Sequence, residues 1–284
     1  MTANVLAPTD TSFDFVCKLV LQRSAIVLES NKAYLVESRL TPVVQQHGLA
    51  SIDDLVAKLR CSNDSPLHKD VVDALTTNET SFFRDAHPFD GLRKVIIPEM
   101  IIKRAARKSI NIWCAAASTG QEPYTICMVL REYFPALKDW SIRFLASDLS
   151  RQVLKRAKEG LFNQCEVNRG LPATLLVKYF TKKGLQWQIK DEIRSMVQFV
   201  ELNLKDPWPA LPADMDLVFM RNVLIYFSAE TKKEILAKTR RVLAPDGYLF
   251  LGGAETTLNL DDSYQRVQAD KAVFYQRRSG VRTP

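Results

Sequence analysis

Two architectures follow one another along this chain: a small helical bundle, then an α/β domain built on a parallel-rich sheet. Three observations carry that expectation. Between residues 13 and 85 apolar side chains recur at helical spacing and no strand pattern appears. From residue 109 onward, short apolar runs alternate with helical segments, the pattern of strands joined by crossover helices. The 284 residues, 46% hydrophobic and 25% charged, have ordinary globular composition and enough length for two domains of about 150 residues each.

In the first part, Phe13, Val16, Cys17, Val20 and Leu21 form an i, i+3, i+4, i+7, i+8 stripe. A second helix is expected from about Asn31, a plausible cap, through Tyr34, Leu35 and Leu40. Ser51-Ile-Asp-Asp opens a third, which carries Leu55, Val56 and Leu59. A loop over Cys61–Pro66 precedes a fourth from Leu67 to Leu75. Residues 13–85 are thus read as an all-α domain and residues 86–108 as a linker helix. In the basic run Arg93–Lys108, Val95, Ile96, Met100, Ile101 and Ala105 make the apolar face, with Arg104, Arg107 and Lys108 on a solvated one.

Residues 109–278 form the second domain. Strands are expected at Ser109–Ala117, Ser141–Ala146, Val197–Leu202, Asp216–Met220, Tyr248–Gly252 and Ala272–Gln276. Helices are expected at Tyr124–Tyr133, Arg151–Lys158 and Thr231–Leu243, the last ended by the turn Ala244-Pro-Asp-Gly. An insertion at about 171–196 contains Leu185, Trp187 and Ile189 alternating with polar residues, which reads as one arm of an exposed antiparallel hairpin.

Several chemistries lose support. Cys17, Cys61, Cys114, Cys127 and Cys165 are odd in number, scattered and without C-x-x-C, so a reduced intracellular protein is expected. No apolar run approaches the roughly 20 residues of a spanning helix. Met1–Phe15 carries Asp10 and Asp14 and lacks the pattern of a secretory signal. The expected location is the cytoplasm. His47, His68 and His87 show no metal-ligand spacing, so no metal is expected. There is no G-x-S-x-G elbow and no Walker loop. Residues 1–85 carry 8 Lys+Arg against 11 Asp+Glu, a net of −3, and the remainder carries +10 of the total +7. The basic second part suits either an anionic partner or a solvated surface.

What remains is a cofactor-type sheet edge. Cys114-Ala-Ala-Ala-Ser-Thr-Gly-Gln-Glu follows the first strand, with small residues that admit a ligand to the backbone. It is not G-x-G-x-x-G. Asp148 ends the second strand, where a carboxylate can hold ribose hydroxyls, the alternative being a cap for the next helix. Glu122, just inside a helix start, either complements the helix dipole or binds a cationic amino group. The run Leu75-Thr-Thr-Asn-Glu-Thr-Ser-Phe-Phe-Arg-Asp joins the domains, as a capped linker or as part of the site. Met220-Arg-Asn-Val-Leu-Ile-Tyr-Phe sets Arg221, Asn222 and Tyr226 just past a central strand.

The runs TTNETSFFRD, CAAASTGQEPY, ASDLS and RNVLIYF, in that order, resemble those of the CheR chemotaxis receptor methyltransferases, and the resemblance spans about residues 13–278. It implies an all-α N-terminal domain and a Rossmann-like, S-adenosyl-L-methionine-dependent methyltransferase domain carrying a small antiparallel β-subdomain. It implies methyl transfer to glutamate side chains of chemoreceptor cytoplasmic helices, leaving S-adenosyl-L-homocysteine and a glutamate methyl ester. By motif, Asn78, Thr80 and Arg84 correspond to linker residues that reach the cofactor. Glu122 corresponds to the contact with the methionine ammonium and Asp148 to the ribose ligand. Asn203 and Leu204 correspond to adenine-side contacts, and Arg221 and Asn222 to contacts after the fourth strand. Arg84 and Tyr226 would be the pair nearest the transferring methyl.

Two departures refine this. Thr181-Lys-Lys-Gly-Leu-Gln-Trp looks shorter than the loop with which some relatives hold a C-terminal receptor pentapeptide, so tether-independent action is expected. The N-terminal docking helix keeps Lys32 and Arg39, but Glu37 and Gln45-Gln46 dilute its charge. A monomer acting without nucleic acid or membrane insertion is expected. A nucleic-acid methyltransferase and a catalytically silent receptor-bound scaffold are the alternatives. The absence of an Asn/Asp-Pro-Pro-Tyr/Phe run opposes the first, and Arg84, Asp148, Asn222 and Tyr226 together oppose the second.

Overall fold

A computed structural model describes residues 9–62, 64–208 and 211–278. The reading of Met1–Phe15 falls partly on residues 1–8, outside the described residues, as does residue 63 in the expected Cys61–Pro66 loop. The chain forms two compact units, one of residues up to Thr77 with Tyr226–Thr231, the other of Asn78–Ile225 and the chain from Lys232 onward.

The first unit holds helices α1 (Asp10–Ser24), α2 (Ala33–Gln46), α3 (Ile52–Arg60) and α4 (Pro66–Leu75). Ser51 caps α3 by accepting the Asp54 N–H, as its sequence foretells. The buried stripe of α1 is Val16, Leu19 and Val20, whereas Leu21 is largely exposed. Along FVCKLVL two apolar stripes satisfy helical spacing equally, and packing selects the one containing Leu19. In α2 the buried residues are Val36, Leu40, Val43 and Val44, while Tyr34 faces solvent. Asn31 lies within a 3-10 turn over Ser30–Lys32 rather than capping α2. Arg39, expected on a docking face, donates to the carbonyls of Leu75 (3.0 Å) and Thr76 (3.1 Å) and to Thr77 Oγ1 (3.2 Å). These are acceptors that the end of α4 leaves unpaired. The segment 226–231 joins this unit through an Ile26–Phe227 antiparallel bridge and the Val27 N–H to Tyr226 carbonyl bond (2.9 Å).

The second unit opens with α5 (His87–Gly91), a π-turn over Leu92–Ile96 and α6 (Ile97–Lys103), which abut to make one helical run that ends at Lys103. Then follow β1 (Ser109–Ala115), α7 (Gln121–Tyr133), β2 (Ser141–Asp148) and α8 (Arg151–Glu159). Next come β3 (Leu161–Asn163), α9 (Gln164–Asn168), α10 (Ala173–Tyr179), β4 (Phe180–Lys183), β5 (Gln186–Ile189) and α11 (Asp191–Arg194). The chain closes with β6 (Val197–Glu201), β7 (Met215–Met220), α12 (Ala229–Val242), β8 (Leu243–Leu251), β9 (Tyr264–Ala269) and β10 (Ala272–Arg277). The seven-stranded sheet has the order β6-β2-β1-β7-β8-β10-β9, parallel through β8 and antiparallel at β10 and β9. β1 and β7 lie at its centre, and all six residues of β7 are buried, which is why both read as continuous apolar runs. The small sheet has the order β3-β5-β4, so the inserted hairpin recruits a third strand upstream of residue 171.

Within the basic run Arg107 and Lys108 are exposed, as a solvated face expects, whereas Arg104 is drawn inward. Arg104 Nε donates to Asp216 Oδ1 (2.7 Å), and its Nη atoms donate to Asp246 (2.9 and 2.5 Å). Arg107 Nη2 reaches both oxygens of Asp216 (2.6 Å each), and the Asn111 N–H adds a bond of 2.8 Å. Asp216 is wholly buried. These residues fasten α6 and its following turn to the starts of β1, β7 and β8. Asp216→Ala leaves Arg104 paired with Asp246 and Arg107 open to solvent, but removes the buried acceptor of both guanidinium groups and of the Asn111 N–H, so it should lose about 1.5–3 kcal/mol of stability in chemical denaturation. A loss below about 1 kcal/mol, the range of an exposed pair, would place the cluster among ordinary surface bridges.

Candidate active site at the carboxyl edge of the sheet

From β1 the chain runs to β2 and β6 on one side and then to β7 and β8 on the other, so the strand order reverses between β1 and β7. Open α/β sheets form their ligand crevice at the carboxyl ends of the strands flanking such a point. Within the second unit, Asn78, Arg84, Glu122, Asp148, Asn203, Leu204, Arg221 and Asn222 lie at or beside those ends.

After β1, Ala116 and Ser118 adopt left-handed backbone with φ of 54° and 49°. This curls the loop so that the Ser118 N–H donates to Asp148 Oδ2 (2.8 Å). The other Asp148 oxygen accepts the Ser150 N–H (3.0 Å). Ser150, not Asp148, caps α8. Burial pushes the Asp148 carboxyl above its usual range, against the opposing pull of the Ser150, Ser118 and Leu149 N–H groups. With about four lone-pair sites, the carboxylate keeps room for a further donor. Ser118 Oγ donates to the Asn78 carbonyl (2.8 Å), which ties the start of the linker to this loop.

The linker is anchored by Phe82, wholly buried against Phe162 and Phe180 with ring centroids 5.0 and 5.7 Å away. Gly170, at φ +89°, fits beneath it because an added Cβ would lie 2.1 Å from the Phe82 carbonyl oxygen. Phe83 (φ 49°) and Asp85 (φ 56°) flank Arg84. Two such excursions on either side of one residue are costly and persist only where the surrounding contacts over-determine them. Arg84 Nη1 donates to the Glu79 carbonyl (3.0 Å). Glu79 pairs with Arg169, whose bond and charge hold its carboxyl below the usual range, with Arg84 adding to the effect. Thr80 is half-buried in the same segment.

Across the crevice, Arg221 is buried at the end of β7. Its guanidinium pairs with Glu122 and donates to the Arg84 carbonyl (2.9 Å) and Asp85 Oδ2 (3.0 Å). Cys114 Sγ donates to the other Glu122 oxygen (3.4 Å). A carboxylate offers about four lone-pair sites, so Glu122 keeps acceptor capacity for a cationic group. Asn203 Oδ1 accepts the Lys205 N–H (3.1 Å). Lys238 Nζ holds the carbonyls of Leu204, Lys205 and Asp206 at 2.5, 2.9 and 3.0 Å. Small residues at a curled loop, a buried carboxylate beyond β2 and a second carboxylate beyond β1 fit a ligand with ribose hydroxyls and an ammonium group. Tyr226 ends a 3-10 turn over Leu224–Tyr226 and falls in the first unit.

Sequence reasoning missed two contributors, Lys238 and Glu255. Lys238 shows only as one of many helical lysines. Glu255 follows Gly252-Gly253 at a strand end, which is a signal that an edge loop approaches another backbone. Among the described residues no group of three or more His, Cys, Asp or Glu is placed to hold a metal ion, and no helix is long and apolar enough to cross a membrane.

Comparison with known proteins matches residues 78–273 to the CheR methyltransferase SAM-binding domain and residues 11–76 to the CheR methyltransferase all-alpha domain. Chemotaxis protein methyltransferase 1 of Pseudomonas aeruginosa is 41% identical over 278 residues, which cover 96% of this chain and all of that one. Chemotaxis protein methyltransferase Cher2 of Pseudomonas putida is 42% identical over 258 residues, 89% of this chain and 93% of that one. The chemotaxis protein methyltransferase of Salmonella typhimurium is 34% identical over 261 residues, 90% of this chain and 87% of that one.

Proposed function

Because the chain belongs to the CheR family of S-adenosylmethionine-dependent methyltransferases, we propose that it methylates glutamate side chains on the cytoplasmic helices of chemoreceptors. The observation that carries this reading is the edge at the β1/β7 reversal, where Glu122, Asp148, Arg221 and the Arg84 linker converge. The reaction suits that set. When bound, S-adenosylmethionine supplies an electrophilic methyl on a sulfonium. The acceptor, a glutamate with reference pKa of about 4.3, is already ionised near neutrality and needs no general base. The protein's task is then orientation, which can supply about 7–11 kcal/mol.

In this proposal Asp148 holds the ribose, Glu122 the amino group, and Asn203 and Leu204 line the adenine side. Asn78, Thr80, Arg221 and Asn222 complete the cofactor site. Arg84 steers the incoming carboxylate, and Tyr226 lies beside the methyl. The all-α domain of residues 13–85 docks the receptor, residues 86–108 link it, and residues 109–278 carry the transferase. The enzyme acts as a cytoplasmic monomer. It also acts without a pentapeptide tether. β4 and β5 join through Gly184-Leu185 alone, since Lys183 pairs with Gln186. The edge strand β4 carries exposed Lys182 and Lys183, which discourage addition of another strand.

The direct test is transfer of labelled methyl from S-adenosylmethionine to a chemoreceptor cytoplasmic fragment. Label released as methanol by mild base supports a glutamate ester. Base-stable label, or steeply salt-dependent DNA binding, would point to the nucleic-acid alternative. Asp148→Asn should weaken cofactor binding roughly 10- to 150-fold, the equivalent of about 1.5–3 kcal/mol. In the parent protein, affinity should fall as pH drops through the raised Asp148 range, because protonation removes an acceptor. Calorimetry across pH should find this slope flattened in Asp148→Asn; an unchanged slope would assign it elsewhere. Arg84→Ala should lower turnover roughly 10- to 150-fold with cofactor affinity less affected, as for an interaction formed mainly in the transition state. Wild-type turnover in that variant would remove Arg84 from the reacting centre. A free receptor tail pentapeptide should bind more weakly than micromolar, and a micromolar dissociation constant, about −8 kcal/mol, would place the enzyme among tethered relatives.

A further inference from the structure

Glu255 lies beyond β8, with both oxygens turned toward backbone amides. Oε2 accepts the N–H groups of Gly252 (2.6 Å) and Asn222 (2.7 Å). Oε1 accepts those of Leu224 (2.7 Å), Val223 (2.9 Å) and Ile225 (3.3 Å). The four consecutive amides 222–225 form a concavity of the kind that binds anions, and here the chain supplies its own. The turn cannot take this shape alone. Asn222 sits at φ 57°, and at Gly252 an added Cβ would meet Asn222 Nδ2 at 2.7 Å, Glu255 Oε2 at 2.8 Å and Asn222 N at 2.9 Å. Without the carboxylate, five donors would lose the acceptor that gathers them.

On the reading of this edge as the methyl-transfer site, we propose that Glu255 is a positioning residue for the reaction. It fixes the turn that presents Asn222 and leads the chain into Tyr226. It acts through the backbone and touches neither substrate nor cofactor. Of the proposed cofactor contacts only Asn222 lies on this turn, while Asp148, Glu122 and the Asn203–Leu204 loop are held by other bonds, so loosening the turn costs turnover more than cofactor affinity.

The test is Glu255→Gln, which keeps the shape but sets an NH2 group against backbone N–H donors. At saturating S-adenosylmethionine and receptor fragment, kcat should fall at least about 10-fold while the dissociation constant for S-adenosylhomocysteine changes less than about 3-fold. Glu255→Asp, which keeps the charge, should recover part of the loss. Arg107→Ala, at the opposite end of the sheet, controls for general destabilisation. Amide exchange at residues 222–225 should quicken at least about 10-fold in Glu255→Gln, with Leu217–Met220 unchanged. Should Glu255→Gln fail to fold, Gly252→Ala disturbs the same contact and takes its place. A kcat within about two-fold of wild type, or a loss matched by Arg107→Ala at equal thermal stability, would overturn the proposal. If the wild-type protein transfers no methyl to the receptor fragment, the functional reading fails instead, and the exchange rates decide whether Glu255 holds the turn; unchanged exchange would overturn that too.

Discussion

The Arg221 guanidinium is the tie on which the candidate site depends. It leaves the end of β7 buried, pairs with Glu122 on α7, and reaches back to Asp85 and the Arg84 carbonyl. Burying a charge is costly unless it is paired and hydrogen-bonded. Meeting it here forces α7, β7 and the linker into one arrangement. The Phe89 ring lies 5.4 Å from it and helps keep the site dry. Cys114, wholly buried beside Glu122, has its thiol pushed up by burial and by that carboxylate, so it serves as a neutral donor rather than a nucleophile.

The two ends of the sheet divide their tasks. At the amino end, Arg104, Arg107, Asp216 and Asp246 form a closed network in which charged groups face each other. At the carboxyl end, beside the Arg221 ion pairs, two further carboxylates face backbone amides: Asp148 takes those of Ser118 and Ser150, and Glu255 takes five more. Side-chain pairs lock elements together. Amide-held carboxylates shape loops: Glu255 is saturated by its five donors, whereas Asp148 carries fewer and keeps the acceptor capacity that a ligand site requires. Left-handed residues gather at the same edge, at Phe83, Asp85, Ala116, Ser118 and Asn222. Strain of this kind persists only where surrounding contacts over-determine it.

Much of this was legible in the residues. The central strands read correctly because β1 and β7 are buried on both faces, and the Ser51 cap because its partner lies three residues away. β9 escaped because Gln265, Arg266 and Gln268 give an edge strand no apolar signature, and β3 because three residues carry none. The α1 stripe was ambiguous by construction. Arg104 read as solvated because its partners stand far along the chain at Asp216 and Asp246, and no local periodicity reports an ion pair of that range. At the candidate site the strand-end positions were visible, but the hydrogen-bond wiring was not. Nothing in the sequence says that Glu122 and Arg221 meet, or that Tyr226 joins the segment paired with Val27.

The position of β1 bears on how the protein comes to be folded. Its two neighbours are β2, just downstream, and β7, whose Leu217 pairs with Ile112 only after the inserted three-stranded sheet and β6 have been made. Contacts of such sequence separation are slow to form, because loop closure must precede any reward. During synthesis the nascent β1 therefore presents an open, apolar flank until the ribosome has delivered residues beyond 220. The crevice at the β1/β7 reversal comes into being only at that closure. A ligand that needs the crevice recognises the finished sheet and nothing earlier. At 100 times its dissociation constant it would stabilise that sheet by about 2.7 kcal/mol, so cellular cofactor supply also acts on how much of this protein stays folded.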